Sequence, residues 1–126
     1  MIINSPLRRR LIASALALAG AALSPLALAA PFTSERISVQ TVGNGSDVVL
    51  VPGLNSSPRV WAEMIKAVPG HRYHLVHVSG FAGHAAGANT AGPVAAPVAE
   101  EVARYIDVSG LKQPAIIGHS MGAALP

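Results

Sequence analysis

Three short apolar runs constrain what this chain can fold into: Val48-Val49-Leu50-Val51, His74-Leu75-Val76-His77-Val78 and Ala115-Ile116-Ile117. Each is too short for a helix, and each is bounded by Gly, Pro or Ser, the pattern of strands covered on both faces. The first run stops at Pro52-Gly53. Ser57 then stands as an N-cap before Pro58, and Trp61, Met64, Ile65 and Val68 follow at helical spacing until Pro69-Gly70. Between the second and third runs, Pro93 opens a segment in which Val94, Val98, Val102, Tyr105 and Ile106 share one helical face, closed by Gly110. Strand, helix, strand, helix, strand predicts an α/β fold: a parallel β-sheet with flanking helices, joined by right-handed crossovers. Ahead of this, Arg36 to Val42 alternates apolar and polar residues as a half-buried strand does, and Gly43-Asn44-Gly45-Ser46 reads as a turn. Ser79 to Gly92 is a Gly/Ala-rich loop whose composition suggests a mobile rim.

The third run leads directly into Gly118-His119-Ser120-Met121-Gly122, a G-x-S-x-G motif. Its setting, a strand before and the small residues Gly122-Ala123-Ala124-Leu125 after, is the one this motif requires. A sharp strand-to-helix turn holds the serine in a strained conformation and pushes its hydroxyl out above the sheet edge. Side chains at Gly118 and Gly122 would collide with neighbouring backbone, and His119 is expected to point away from the hydroxyl and pack. A helix starting beyond Ser120 aims its dipole and free N–H groups at developing negative charge.

Together with Leu50-Val51-Pro52-Gly53-Leu54-Asn55 about 65 residues upstream, this motif resembles the alpha/beta-hydrolase family, over about residues 36 to 126. Members carry His-Gly or a similar pair after the third strand and a nucleophile elbow after the fifth. Pro52-Gly53 departs from that pair at its first residue. The resemblance implies Ser120 as nucleophile, with the backbone N–H groups of Leu54 and Met121 as oxyanion hole. Because those donors are backbone groups, Pro52 leaves them intact. The family order is Ser, then Asp or Glu, then His, and Met121 to Pro126 supply neither acid nor base. The expected fold is therefore incomplete, ending just after the elbow, with the strand at 115–117 as an unpaired edge. The expected chain is truncated and inactive alone.

Upstream residues are weaker candidates for that base. His74 and His77 lie three apart on a strand, so they face opposite sides and cannot share a metal; they read as strand-end or surface residues. His84 falls in the Gly/Ala-rich loop. Asp47 reads as a turn residue, Asp107 as a helix end, and Glu100-Glu101 as the solvated side of a helix.

Residues 1–29 read as a secretory signal peptide: Arg8, Arg9 and Arg10, an apolar Leu11–Leu23 segment, then Ala27-Leu28-Ala29 as the cleavage site. Residues 30–126 are then the N-terminal part of the hydrolase domain, exported to the periplasm or medium by the general secretory or twin-arginine route, with no stable membrane insertion after cleavage. Of 9 Lys and Arg against 6 Asp and Glu, three arginines fall in the leader. What remains is near neutral and lacks the basic clusters that nucleic acid requires. With 0 Cys, disulfides and thiolate metal sites are excluded. No metal or cofactor is implied, and the expected partner is a small-molecule ester-type substrate. The expected activity is hydrolysis of an ester, ahead of an amide or thioester, through an acyl-enzyme. Two alternatives stand beside it: haloperoxidase-like or carbon–carbon hydrolase chemistry on the same fold, and a non-catalytic hydrolase-like binding protein. Against the last, a strained turn is costly without chemistry to serve.

Overall fold

The computed structural model describes residues 30–124. The expected signal peptide at 1–29 and its cleavage site lie outside the described residues. Four strands, β1 (Ile37–Gly43), β2 (Ser46–Val51), β3 (His71–Val78) and β4 (Ala115–Gly118), form one sheet in the order β1-β3-β2-β4. β2 pairs in parallel with both β3 and β4. The connections β2 to β3 and β3 to β4 carry the helices α1 (Ala62–Ala67) and α2 (Ala95–Val108), as the alternation of apolar runs predicts.

β1 makes the sheet mixed. It runs antiparallel to β3 along its whole length, from Ile37 opposite Val78 to Gly43 opposite Arg72. The cause is the short Gly43–Ser46 connection. A parallel neighbour needs a crossover of about a dozen residues, so a strand joined by a tight turn must reverse direction. β3 then inserts between β1 and β2.

The sheet separates two apolar layers. On one side Val49, Val51, Val76 and Val78 meet Val98, Val102 and Tyr105 of α2. On the other, Val48, Leu50, Tyr73 and Leu75 meet Trp61 and the half-buried Met64 and Ile65. Alternate residues of a strand face opposite ways, which is why the continuous run 48–51 feeds both layers. The segment after Pro58 begins as a 3-10 turn, Pro58–Trp61, before becoming α1. Ser57 caps it, its Oγ accepting from the Arg59 N–H at 3.2 Å. α2 ends in a Schellman arrangement: Gly110 takes φ +65°, and the Leu111 N–H reaches the Ile106 carbonyl at 3.0 Å.

Three sequence readings change. His74 and His77 are not surface residues: they are 3 % and 8 % exposed. Asp47 belongs to β2 rather than to the turn, where its register partner is Arg72. The Gly/Ala-rich loop is fastened rather than loose. Asn89 donates to the carbonyls of Arg36 and Ser79, both at 3.0 Å, and accepts from the Arg36 guanidinium at 2.8 Å. β4 is an edge strand, as expected, with Ile116 and Ile117 exposed. Among the described residues no helix is long and apolar enough to cross a membrane.

Candidate active site

β4 ends at Gly118, and a 3-10 turn begins at Ser120. Between them the backbone reverses so sharply that Ser120 takes φ +55°, a left-handed conformation. That region costs a residue with a Cβ roughly 1–2 kcal/mol, so something around it must hold it there. The His119 N–H bonds the Val51 carbonyl at 3.0 Å, extending the β2–β4 ladder one residue past the strand. The Gly122 N–H then returns to the His119 carbonyl, also at 3.0 Å, and closes the turn.

Close approach of backbone to backbone makes this bend. A Cβ at Gly118 would run into the Gly122 carbonyl, and a Cβ at Gly122 would run into the carbonyl of Val51. Gly53 lies flush against the bend from the other side: a Cβ there would sit 3.1 Å from the Ser120 Cβ and 3.4 Å from His119 Nδ1. The loop after β2 and the turn after β4 are thus packed against each other. Ser120 itself is exposed. The His119 ring leans edge-on to Trp61, centroids 6.5 Å apart. Trp61 is buried, and its indole N–H has no partner among the described residues.

Leu54 follows Gly53, and Met121 follows Ser120. The internal hydrogen bonding of the 3-10 turn begins at Gly122, which leaves the Met121 N–H ahead of it and unused, as at any helix start. The Leu54 N–H is likewise not a donor in the turn that follows β2, where the Ser56 N–H bonds the Gly53 carbonyl at 3.0 Å. Two backbone donors therefore flank the Ser120 bend with no partner among the described residues.

Four of the five histidines are engaged away from it. His71 Nδ1 meets the Ser46 hydroxyl at 2.7 Å. His74 is clamped between the Tyr105 hydroxyl at 2.6 Å and Asp47 at 2.8 Å. Asp47 also takes the Arg72 guanidinium. That hydrogen bond, then the one from His74, holds the Asp47 carboxyl at about 2. His77 Nε2 bonds the Phe81 carbonyl at 3.1 Å, and its ring stacks on His84 at 3.7 Å. Asp107 closes α2, and Glu101 is paired with Arg104. Among the described residues none is joined to Ser120 as a general base. No group of three or more His, Asp or Glu among them is placed to hold a metal.

Sequence reasoning missed the Asp47–His74–Tyr105 chain. Its one legible signal was the alternation along β3, which puts His74 on the same face as Val76, the face that α2 covers. Asp47 reaches it only through the parallel register of β2 and β3, which no local pattern announces.

Comparison with sequence families matches residues 48–125 to the alpha/beta hydrolase fold. No curated protein matches the sequence. Among solved structures, the chain is similar to the hypothetical protein PA1622 of Pseudomonas aeruginosa PAO1, with 20 % identity and a TM-score of 0.64, over 75 % of this chain and 35 % of that one. It is also similar to an esterase from a marine microorganism, with 21 % identity and a TM-score of 0.58, over 71 % and 34 % of the two chains. An epoxide hydrolase from an endophytic Streptomyces gives 20 % identity and a TM-score of 0.55, over 71 % and 28 %. The chain spans about a third of the length of these structures. With the parallel core β3-β2-β4, the antiparallel β1 beside it and the glycine-lined bend at the end of β4, this chain belongs to the alpha/beta hydrolase fold family.

Proposed function

We propose that the chain carries the nucleophile and oxyanion hole of a serine hydrolase acting on ester bonds. The observation that carries this reading is Ser120 at φ +55°, exposed, at the end of a parallel strand and against Gly53. Backbone strain of this kind persists where the surroundings over-determine it, and it clusters at reacting groups. In the reaction, Ser120 Oγ adds to the ester carbonyl carbon while its proton passes to a base. The carbonyl oxygen takes up the negative charge and is met by the N–H groups of Leu54 and Met121. Collapse expels the alcohol with that proton. Water repeats the sequence on the acyl-enzyme, releasing the carboxylic acid and restoring the serine.

A serine hydroxyl needs a base and an acid to orient it, and among the described residues no histidine or carboxylate is joined to Ser120. The 126-residue chain by itself is therefore expected to lack turnover. The test is to read the coding DNA past codon 126, express what it encodes, and assay p-nitrophenyl ester hydrolysis. An acid followed by a histidine, with turnover that Ser120→Ala lowers by about a thousandfold or more, supports the proposal. Turnover indifferent to Ser120→Ala refutes it. We propose export as well, on the arginines and apolar run of residues 1–29; its check is an exported product whose N-terminus is Ala30.

A further inference from the structure

An oxyanion hole built from two amides sets a demand that the bend alone does not meet. The Leu54 N–H comes from the loop after β2, and the Met121 N–H from the turn after β4. Both must converge on one oxygen, and misplacement by about 1 Å can cost about a hundredfold in rate. Some contact has to fix the first element against the second.

The Leu54 N–H is aimed through its peptide plane. The Gly53 carbonyl, in the same plane, accepts from the Ser56 N–H at 3.0 Å. A trans peptide turns its N–H to the side opposite its carbonyl, so any rotation of the Gly53–Leu54 plane swings the donor. Gly53 has no side chain with which to wedge that plane. Its open side is bordered by the turn after β4: a Cβ would stand 3.1 Å from the Ser120 Cβ, 3.4 Å from His119 Nδ1 and 3.4 Å from the His119 carbonyl oxygen.

His119 holds this loop by more than that approach. Its N–H bonds the Val51 carbonyl at 3.0 Å, just ahead of Gly53. Its ring meets Trp61 edge-on, at 6.5 Å between centroids and 88° between planes, a favourable aromatic geometry. Trp61 is itself fixed, buried among Val48, Leu50, Tyr73 and Leu75. Its indole N–H has no partner among the described residues, so packing rather than a hydrogen bond seats it. Trp61 ends the turn that continues the Leu54 loop toward α1. One side chain thus borders that loop at Gly53 and, through Trp61, at its far end.

We propose that His119 is a positioning residue for the oxyanion hole: its ring is the spacer between Gly53 and Trp61 that keeps the Leu54 N–H in register with the Met121 N–H. The assignment rests on the serine-hydrolase reading of the same site. Its neighbours are a glycine and an aromatic edge, so the ring acts through its shape. His119→Ala removes the spacer and frees the Gly53–Leu54 plane to turn.

The test measures p-nitrophenyl ester hydrolysis by the protein expressed from its complete gene. His119→Ala is expected to lower kcat by about tenfold to a hundredfold with KM held within about twofold, because the misplaced donor meets its charge only in the transition state. His119→Phe keeps an atom beside Gly53 and an edge on Trp61, and is expected to bring kcat back to within about threefold of the parent. His119 is exposed, so neither variant opens a cavity. Ser120→Ala, run in parallel, reports on the hydrolase reading by itself: turnover unchanged by it removes that reading and this one together. Where Ser120→Ala abolishes turnover, a parental kcat in His119→Ala overturns the role of His119 alone. A loss carried by KM overturns it too, as does a His119→Phe variant as slow as His119→Ala, which would assign the effect to a ring nitrogen.

Discussion

Replacing Ser120 by glycine and by alanine separates the strain at the bend from the chemistry of the hydroxyl. Ser120 sits at φ +55°, where a Cβ meets its own backbone at a cost of roughly 1–2 kcal/mol. Alanine keeps the Cβ and therefore the strain. Glycine removes both, but its unfolded chain is freer, which offsets about 0.5–1 kcal/mol. The difference leaves Ser120→Gly more stable than Ser120→Ala by roughly 0.5–1 kcal/mol. Neither change opens a cavity, because the residue is exposed. At a domain of this size the gap corresponds to a few degrees in Tm, taking about 4–8 °C per kcal/mol. The assay is equilibrium urea unfolding of the two variants and the parent, fitted with a common m-value. Equal stability of the two variants, or a less stable glycine variant, would show that residue 120 relaxes into an ordinary conformation. The strained bend, and the argument from it to a nucleophile, would then be lost.

Other outcomes follow from the same geometry. Gly122→Ala drives a methyl into the Val51 carbonyl and to 2.9 Å from that of Pro52. It is expected to destabilise by about 1–3 kcal/mol, read as a lower urea midpoint. The Asp47 carboxyl is held at about 2, below its ordinary 3.8, by Arg72 first and His74 second. The unfolded chain therefore binds the proton first as pH falls, and this contribution, intact above about pH 4, is lost as pH drops toward about 2. Asp47→Asn is expected to flatten the stability–pH curve in that window. Ile116→Lys, at a residue 58 % exposed on the edge strand β4, is expected to reduce aggregation measured by light scattering while changing stability by less than about 0.5 kcal/mol.

Local chemistry made most of this fold legible in the sequence. The run Val48–Val51 announced a strand buried on both faces, Ser57-Pro58 a helix start, and Gly110 a helix stop; each rests on a short-range rule of sterics or capping. The bend at Ser120 was legible for the same reason, since two glycines two residues either side of a serine, after an apolar strand, leave few backbone solutions. What the sequence did not announce depends on register between distant segments. Asp47 meets His74 only because β2 and β3 pair in parallel at that offset. Asn89 reaches back across the chain to Arg36 and Ser79. The antiparallel course of β1 was deducible from the shortness of Gly43–Ser46, but its pairing with β3 rather than β2 was not, because nothing local states which strand inserts between neighbours.

The most direct measurement is a crystal structure, after reaction with an alkyl fluorophosphonate, of the protein expressed from its complete gene. The account predicts a phosphorus bonded to Ser120 Oγ, residue 120 still at positive φ, and one phosphonyl oxygen within about 2.7–3.1 Å of the N–H groups of both Leu54 and Met121. An adduct on another residue, or a phosphonyl oxygen held by side chains away from those two amides, would contradict it.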